Sequence, residues 1–145
     1  MCAPMADASE SFEMVPPDSP SAELAAELRE ALSDLQRNLG GILGSVLVDE
    51  EGSPLSWDLK GGVDPALVAT AGAMLGRAAG RTTGLMNLGR SRNVVVTTDR
   101  GSIAVFQVTS ALSLVTLLQP STNNILVLVE VRKTIDKLRG VIQGV

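Results

Sequence analysis

Arg77 and Arg81 stand four residues apart in "GAMLGRAAGRTTG", a segment that otherwise reads as a helix. At that spacing both guanidiniums project from one side of the helix. Two cations so placed could stabilise charge on a transferring phosphoryl group, or could be solvated arginines at the rim of a contact. The same segment carries Gly72, Gly76, Gly80 and Gly84, again four apart. A glycine series can cradle a phosphate, but this one lacks the Gly-Lys-Ser/Thr ending and the preceding strand of a P-loop. Asp49, Glu50 and Glu51 form a carboxylate cluster immediately before Gly52. That is the composition of a solvated turn, and we read it as one rather than as a cation site.

Little other chemistry is on offer. The 145 residues include no histidine, no tyrosine and a single cysteine, Cys2. The usual general bases and nucleophiles are therefore missing, and a disulfide or a thiolate metal site cannot be assembled within the chain. We expect no catalytic residues, no metal and no cofactor: a binding protein rather than an enzyme. The net charge is −4, yet residues 1–23 hold five acids and no base, which leaves +1 on the rest. A body so nearly neutral has no basic stripe to track a phosphate backbone, so nucleic acid is not an expected partner. No signal peptide is expected, since no positive n-region and no continuous apolar h-region precede the prolines near the N-terminus. The longest apolar stretch, residues 103–131, is interrupted by Gln107, Gln119, Pro120, Asn123 and Asn124. No membrane insertion is expected, and the cytoplasm is the expected location.

These residues need elements to position them. Residues 1–20, rich in Pro, Ser and acids, read as a disordered acidic tail, with residues 21–145 as one domain. Within the tail, Phe12, Met14 and Val15 are the apolar residues that could form a short docking motif. Ser21 is the expected cap of an amphipathic helix through Leu24, Leu28, Ala31, Leu32, Leu35 and Leu39, ended by Gly40-Gly41. Strands near 42–49 and 53–59 flank a turn at Asp49 to Gly52. Asp64 caps, and Pro65 opens, a long helix to about Leu88. Three strands near 92–98, 102–109 and 112–118 form an antiparallel meander with apolar residues on both faces, so the sheet needs a layer on each side. The segment from Asn124 has strand-like β-branched content, but Leu128, Val131, Ile135, Leu138 and Ile142 recur at helical spacing. We read it as a helix. The fold class is α+β, three layers, in the order α-β-β-α-β-β-β-α.

At about 100° per residue, Ala69, Gly72, Ala73, Gly76, Gly80, Thr83 and Gly84 fall within roughly 120° of the central helix. Every residue in that sector is small. The opposite sector gathers Leu67, Val68, Met74, Leu75, Leu85 and Met86, and we expect that bulky side to lie on the sheet. The small side then suits close approach by another backbone. It could be crossed by the same chain, or it could meet a second copy, the reading we prefer because two helices covering one sheet face leave this one alone on the other. A membrane helix of the small-xxx-small kind is excluded by Arg77 and Arg81.

The order of elements resembles the roadblock / dynein light chain family. "GILGSVLVDEEGSPL" is similar to that family's opening hairpin, and the Ala/Gly-rich central helix matches. So does "DRGSIAVFQVTSALSLVTLLQPSTNNILVLVEVRKTIDKL", which follows the family pattern of two strands, a loop with Asn, and an aliphatic run opening the last helix. Residues 22–143 are covered, although Asn124-Ile125-Leu126 departs from the family's frequent Asn-Leu-Gly. The resemblance implies a five-stranded antiparallel sheet with one helix on one face and two on the other. It implies a homodimer through the central helix and third strand, placing Ala69, Gly72, Ala73, Gly76, Arg77, Gly80, Arg81 and Thr83, with Val94, Val95 and Val96, at the interface. It also implies a Ras-like small GTPase as partner, bound and regulated without catalysis, as in the bacterial MglB type that acts in cell polarity and motility. The alternative is a small-ligand sensor with an aliphatic pocket between sheet and helix, against which the lack of aromatic and convergent polar groups argues.

Overall fold

Four leucines set the first helix in place. In α1 (Pro20–Asn38), Leu28, Leu32 and Leu35 are buried, as is Leu39 just beyond its end. They lie on one stripe at spacings of three and four, the pattern that buries one face of a helix. In this computed structural model, residues 20–120, 122 and 124–143 are described. The expected acidic tail therefore falls outside the described residues, apart from Pro20. The helix starts one residue before Ser21, so Ser21 lies in its first turn and is not its cap.

The next turns follow from their residue types. β1 (Ile42–Val48) and β2 (Pro54–Leu59) are joined by a turn in which the Asp49 carboxylate accepts hydrogen bonds from the Glu51 and Ser53 amides, both at 2.9 Å. Gly52 takes φ +87° there, a conformation open to glycine at little cost. The Asp64 carboxylate accepts from the Ala66 amide at 3.0 Å, capping α2 (Pro65–Leu85), whose first residue is the expected proline. α2 stops three residues short of the expected Leu88. Asn87 turns to φ +56°, and the Leu88 amide folds back to the Thr83 carbonyl at 2.9 Å, closing the helix end.

β3 (Asn93–Thr98), β4 (Gly101–Gln107) and β5 (Ser113–Leu118) form the expected meander. All pairings are antiparallel, in the order β2-β1-β5-β4-β3. α3 (Asn124–Gln143) is helical from its first residue, so its helical spacing prevails over local β-branched content.

Each sheet face has its own core. Leu47, Ala104, Phe106, Leu114 and Leu118 point to the side covered by α1 and α3, where Val127, Val131 and Leu138 meet the α1 leucines. Val46, Val48, Val105 and Val115 point to the other side, under α2 alone. The result is the expected three-layer α+β arrangement. α1 and α3 run antiparallel: Asp34 pairs with Lys137 at 3.3 Å, while the loop after α1 meets the approach to α3 through the Thr122 hydroxyl, which donates to the Gly41 carbonyl at 3.0 Å.

Candidate functional site

α2 lies on the sheet by its small side, the reverse of the expected orientation. Ala69 is fully buried, and Gly72 faces Val115 so closely that an added Cβ would lie 2.2 Å from Val115 Cγ2. A Cβ on Gly76 would stand 3.7 Å from Val105 Cγ1, and Ala73 is half-buried beside Gly52 of the β1–β2 turn. Of the bulky side, Val68 is buried and Leu75 half-buried, but Leu67, Met74 and Leu85 are 66%, 63% and 82% exposed. The cause is size complementarity. This sheet face is already a row of branched side chains, and small residues let the helix settle between them at native packing density. Ala69 and Gly72 therefore serve packing within the chain and are not at an outer interface.

What α2 presents outward is a stripe of Leu67, Ala71, Met74, Ala78 and Leu85, all exposed. Arg77 and Arg81 lie beside it, also exposed; Arg77 Nη2 donates to the Glu50 carbonyl oxygen at 3.4 Å, leaning on the β1–β2 turn. Gly80 is exposed with nothing within 4 Å of an added Cβ, and Thr83 is half-buried, its hydroxyl donating to the Gly80 carbonyl at 3.1 Å. The Asp49 carboxylate is engaged by its own turn, and among the described residues no three acidic, Cys or His side chains gather to hold a metal ion. No helix among the described residues is long and apolar enough to cross a membrane.

β3 packs under the same helix, with Val94 in the core beneath α2. Among the described residues it pairs only with β4, so its other side is a sheet edge. The Gln107 amide donates to the Arg92 carbonyl at 2.9 Å, and Asn93 stands opposite Phe106. The antiparallel alternation then turns the backbone groups of Val94 and Val96 toward β4 and those of Val95 and Thr97 outward. Side chains alternate too. Val94 packs in the α2 core, whereas Val95 and Val96 are 45% and 41% exposed on opposite faces. The exposed apolar stripe of α2 and the unpaired edge of β3 are each the kind of surface that a second protein covers.

The fold has counterparts among known proteins. The family model described as Roadblock/LC7 domain matches residues 28–118. The chain belongs to the Roadblock/LC7 family. Solved structures of the same fold include Myxococcus xanthus MglB, with 20% identity, a TM-score of 0.75, and coverage of 82% of this chain and 90% of that one. The gliding protein MglB of Thermus thermophilus aligns at 17% identity and TM-score 0.74, covering 84% of this chain and 93% of that one. A Roadblock/LC7 domain from Streptomyces avermitilis aligns at 22% identity and TM-score 0.71, covering 79% and 97%. No curated protein sequence matches this roadblock chain.

The outward stripe of α2 was not anticipated as the exposed side. Its signal was present in the sequence: Leu67, Met74 and Leu85 recur at helical spacing, but so does the small side, and the wheel alone does not say which one meets the sheet.

Proposed function

We propose that this roadblock chain forms a homodimer through α2 and β3, and that the assembled surface binds and regulates a Ras-like small GTPase. The observation that carries the reading is the exposed Leu67–Met74–Leu85 stripe of α2 together with the outward backbone of Val95 and Thr97 on the edge strand β3. Pairing β3 with the β3 of a second copy would satisfy those groups and continue the sheet across both subunits. Arg77, Gly80, Arg81 and Thr83 would then sit at the helix side of the contact, with Val94, Val95 and Val96 on the strand side. Likeness to MglB, one structure of which is described as having a tetrameric arrangement, supports assembly of this kind.

The regulatory role is non-catalytic. With no histidine or tyrosine to work as a base, the protein would act by holding the GTPase's switch loops in one arrangement, as activator or scaffold. The cytoplasm, where such GTPases act, is the matching location; the bacterial MglB likeness makes cell polarity or motility the first setting to examine.

The test is recovery of the native protein with its partners, followed by GTP hydrolysis with any GTPase obtained. A GTPase that binds in one nucleotide state, and whose hydrolysis changes on binding, is the expected result. Met74→Asp should weaken that binding about tenfold or more, equivalent to about 1.4 kcal/mol, while leaving the fold intact. No GTPase among the partners would sink the functional reading and leave the fold untouched.

A further inference from the structure

A groove of about 970 Å³ lies between α3 and the end of the sheet where the α2–β3 loop crosses. Arg90, Arg92, Arg132 and Arg139 line it, with Asp136 as the only acid on its walls. All four arginines are exposed, and none takes part in an ion pair among the described residues. Arg139 is held in place by its Nε, which donates to the Val108 carbonyl at 2.6 Å. Apolar surface accompanies the charge: Leu88 and Leu128, also on the groove, are 74% and 42% exposed. Four like charges around an apolar floor form a seat for an acidic peptide that carries bulky apolar residues.

We propose that the protein's own N-terminal segment, Glu10-Ser11-Phe12-Glu13-Met14-Val15, occupies this groove. Residues 1–19 contain four acids and no base, and this segment interleaves two of them with the apolar residues. The reach fits as well. The Asp34–Lys137 pair and the antiparallel run of α1 and α3 put Pro20 past the C-terminal end of α3. At 1.5 Å per helical residue, Arg139 and Arg132 lie about 18 Å and about 28 Å back along the helix from that point. An extended chain leaving Pro20 at about 3.3 Å per residue brings Glu13 to about 23 Å and Glu10 to about 33 Å. On this ruler Glu13 and Glu10 can reach the levels of Arg139 and Arg132, and Phe12, at about 26 Å, can reach that of Ile135 on the groove wall, at about 24 Å. The proposal is independent of the GTPase reading, because every residue it uses belongs to one chain and none lies on the α2 stripe.

The single cysteine makes the test direct. A spin label is placed at Ser9→Cys in a Cys2→Ser background of the full chain, and backbone amide signals are compared with the label oxidised and reduced. Selective loss of signal at Ser91, Thr109 and Arg132, with Ala71 and Met74 on the α2 stripe unaffected, is the expected result. The loss should disappear in Arg90→Glu/Arg132→Glu, whose exposed sites leave the fold intact, and should fade in about 0.5 M salt, where the Debye length is about 4 Å. Loss spread evenly over the surface, centred elsewhere, or unchanged by the charge reversal overturns the proposal. Loss on isotope-labelled chains that carry no spin label, mixed with spin-labelled ones, overturns the assignment to the same chain.

Discussion

Gly72 of α2 and Val115 of β5 meet so closely that a Cβ on Gly72 would sit 2.2 Å from the valine's Cγ2. The helix interior tolerates this glycine because its absence of a side chain lets α2 close on the sheet. Gly72→Ala should therefore destabilise the protein by about 1–3 kcal/mol, since Val115 is buried and has nowhere to go. Gly80→Ala, with nothing within 4 Å of the new methyl, should instead stabilise the monomer by up to about 1 kcal/mol. Chemical denaturation at low protein concentration reads both. Equal effects at the two positions would contradict the orientation of α2, and Val115→Ala should relieve part of the Gly72→Ala penalty in a double-mutant cycle.

The outward backbone of Thr97 makes no ladder bond among the described residues. Proline is tolerated on the open side of an edge strand but cannot donate to a partner. Thr97→Pro is expected to leave a folded protein that sediments as a monomer at concentrations where the parent is a dimer. A parent that is itself monomeric, or a variant that stays dimeric, would contradict strand pairing at β3.

At the surface between α1 and α3, the hydrogen bond from Lys137 holds the Asp34 carboxyl below the usual carboxylate range, helped by Arg37 and opposed by partial desolvation. A carboxyl with a lowered folded pKa adds stability above its unfolded value, near 4, and that stability is lost as pH falls through the folded value. Asp34→Asn should accordingly be less stable than the parent near neutrality, with the gap closing below about pH 4. Urea titrations of both proteins across that window check the sign.

Ser45 and Thr116 are opposite one another in the β1–β5 ladder, both fully buried, and neither hydroxyl has a hydrogen-bond partner among the described residues. Removing two unpaired buried hydroxyls of matching position removes a desolvation penalty without stranding a partner. Ser45→Ala/Thr116→Val should be neutral or more stable than the parent. A loss of about 2 kcal/mol or more in thermal unfolding would show that the hydroxyls are paired after all.

Much of the scaffold is legible in the chain because local chemistry specifies it. Asp64-Pro65 starts α2, the Asp49 side chain organises its own turn, and the spacing from Leu128 to Ile142 outweighs the β-branched run before it. Two errors share a different origin. Projection of α2 separates a small side from a bulky one, but the choice between them depends on Val105 and Val115, which arrive from strands that follow α2 in the chain. The end of α2 depends on Asn87 adopting a left-handed conformation, which its neighbours do not announce. The arginine groove is equally silent in sequence: Arg90 and Arg139 are 49 positions apart and share a wall only once α3 has docked.

α2 is anchored unevenly along its length. Its buried residues, Val68, Ala69 and Gly72, all fall in the first half, and from Arg77 to Leu85 only Ala79 and Thr83 are even half-covered. Those nine residues include two glycines and two threonines, weak helix formers, with little tertiary packing to hold them. Their helical order is therefore conditional. Amide hydrogens in this stretch should exchange freely when the protein is dilute and slow down as it associates, so that the last turns of α2 complete their folding in the act of being covered.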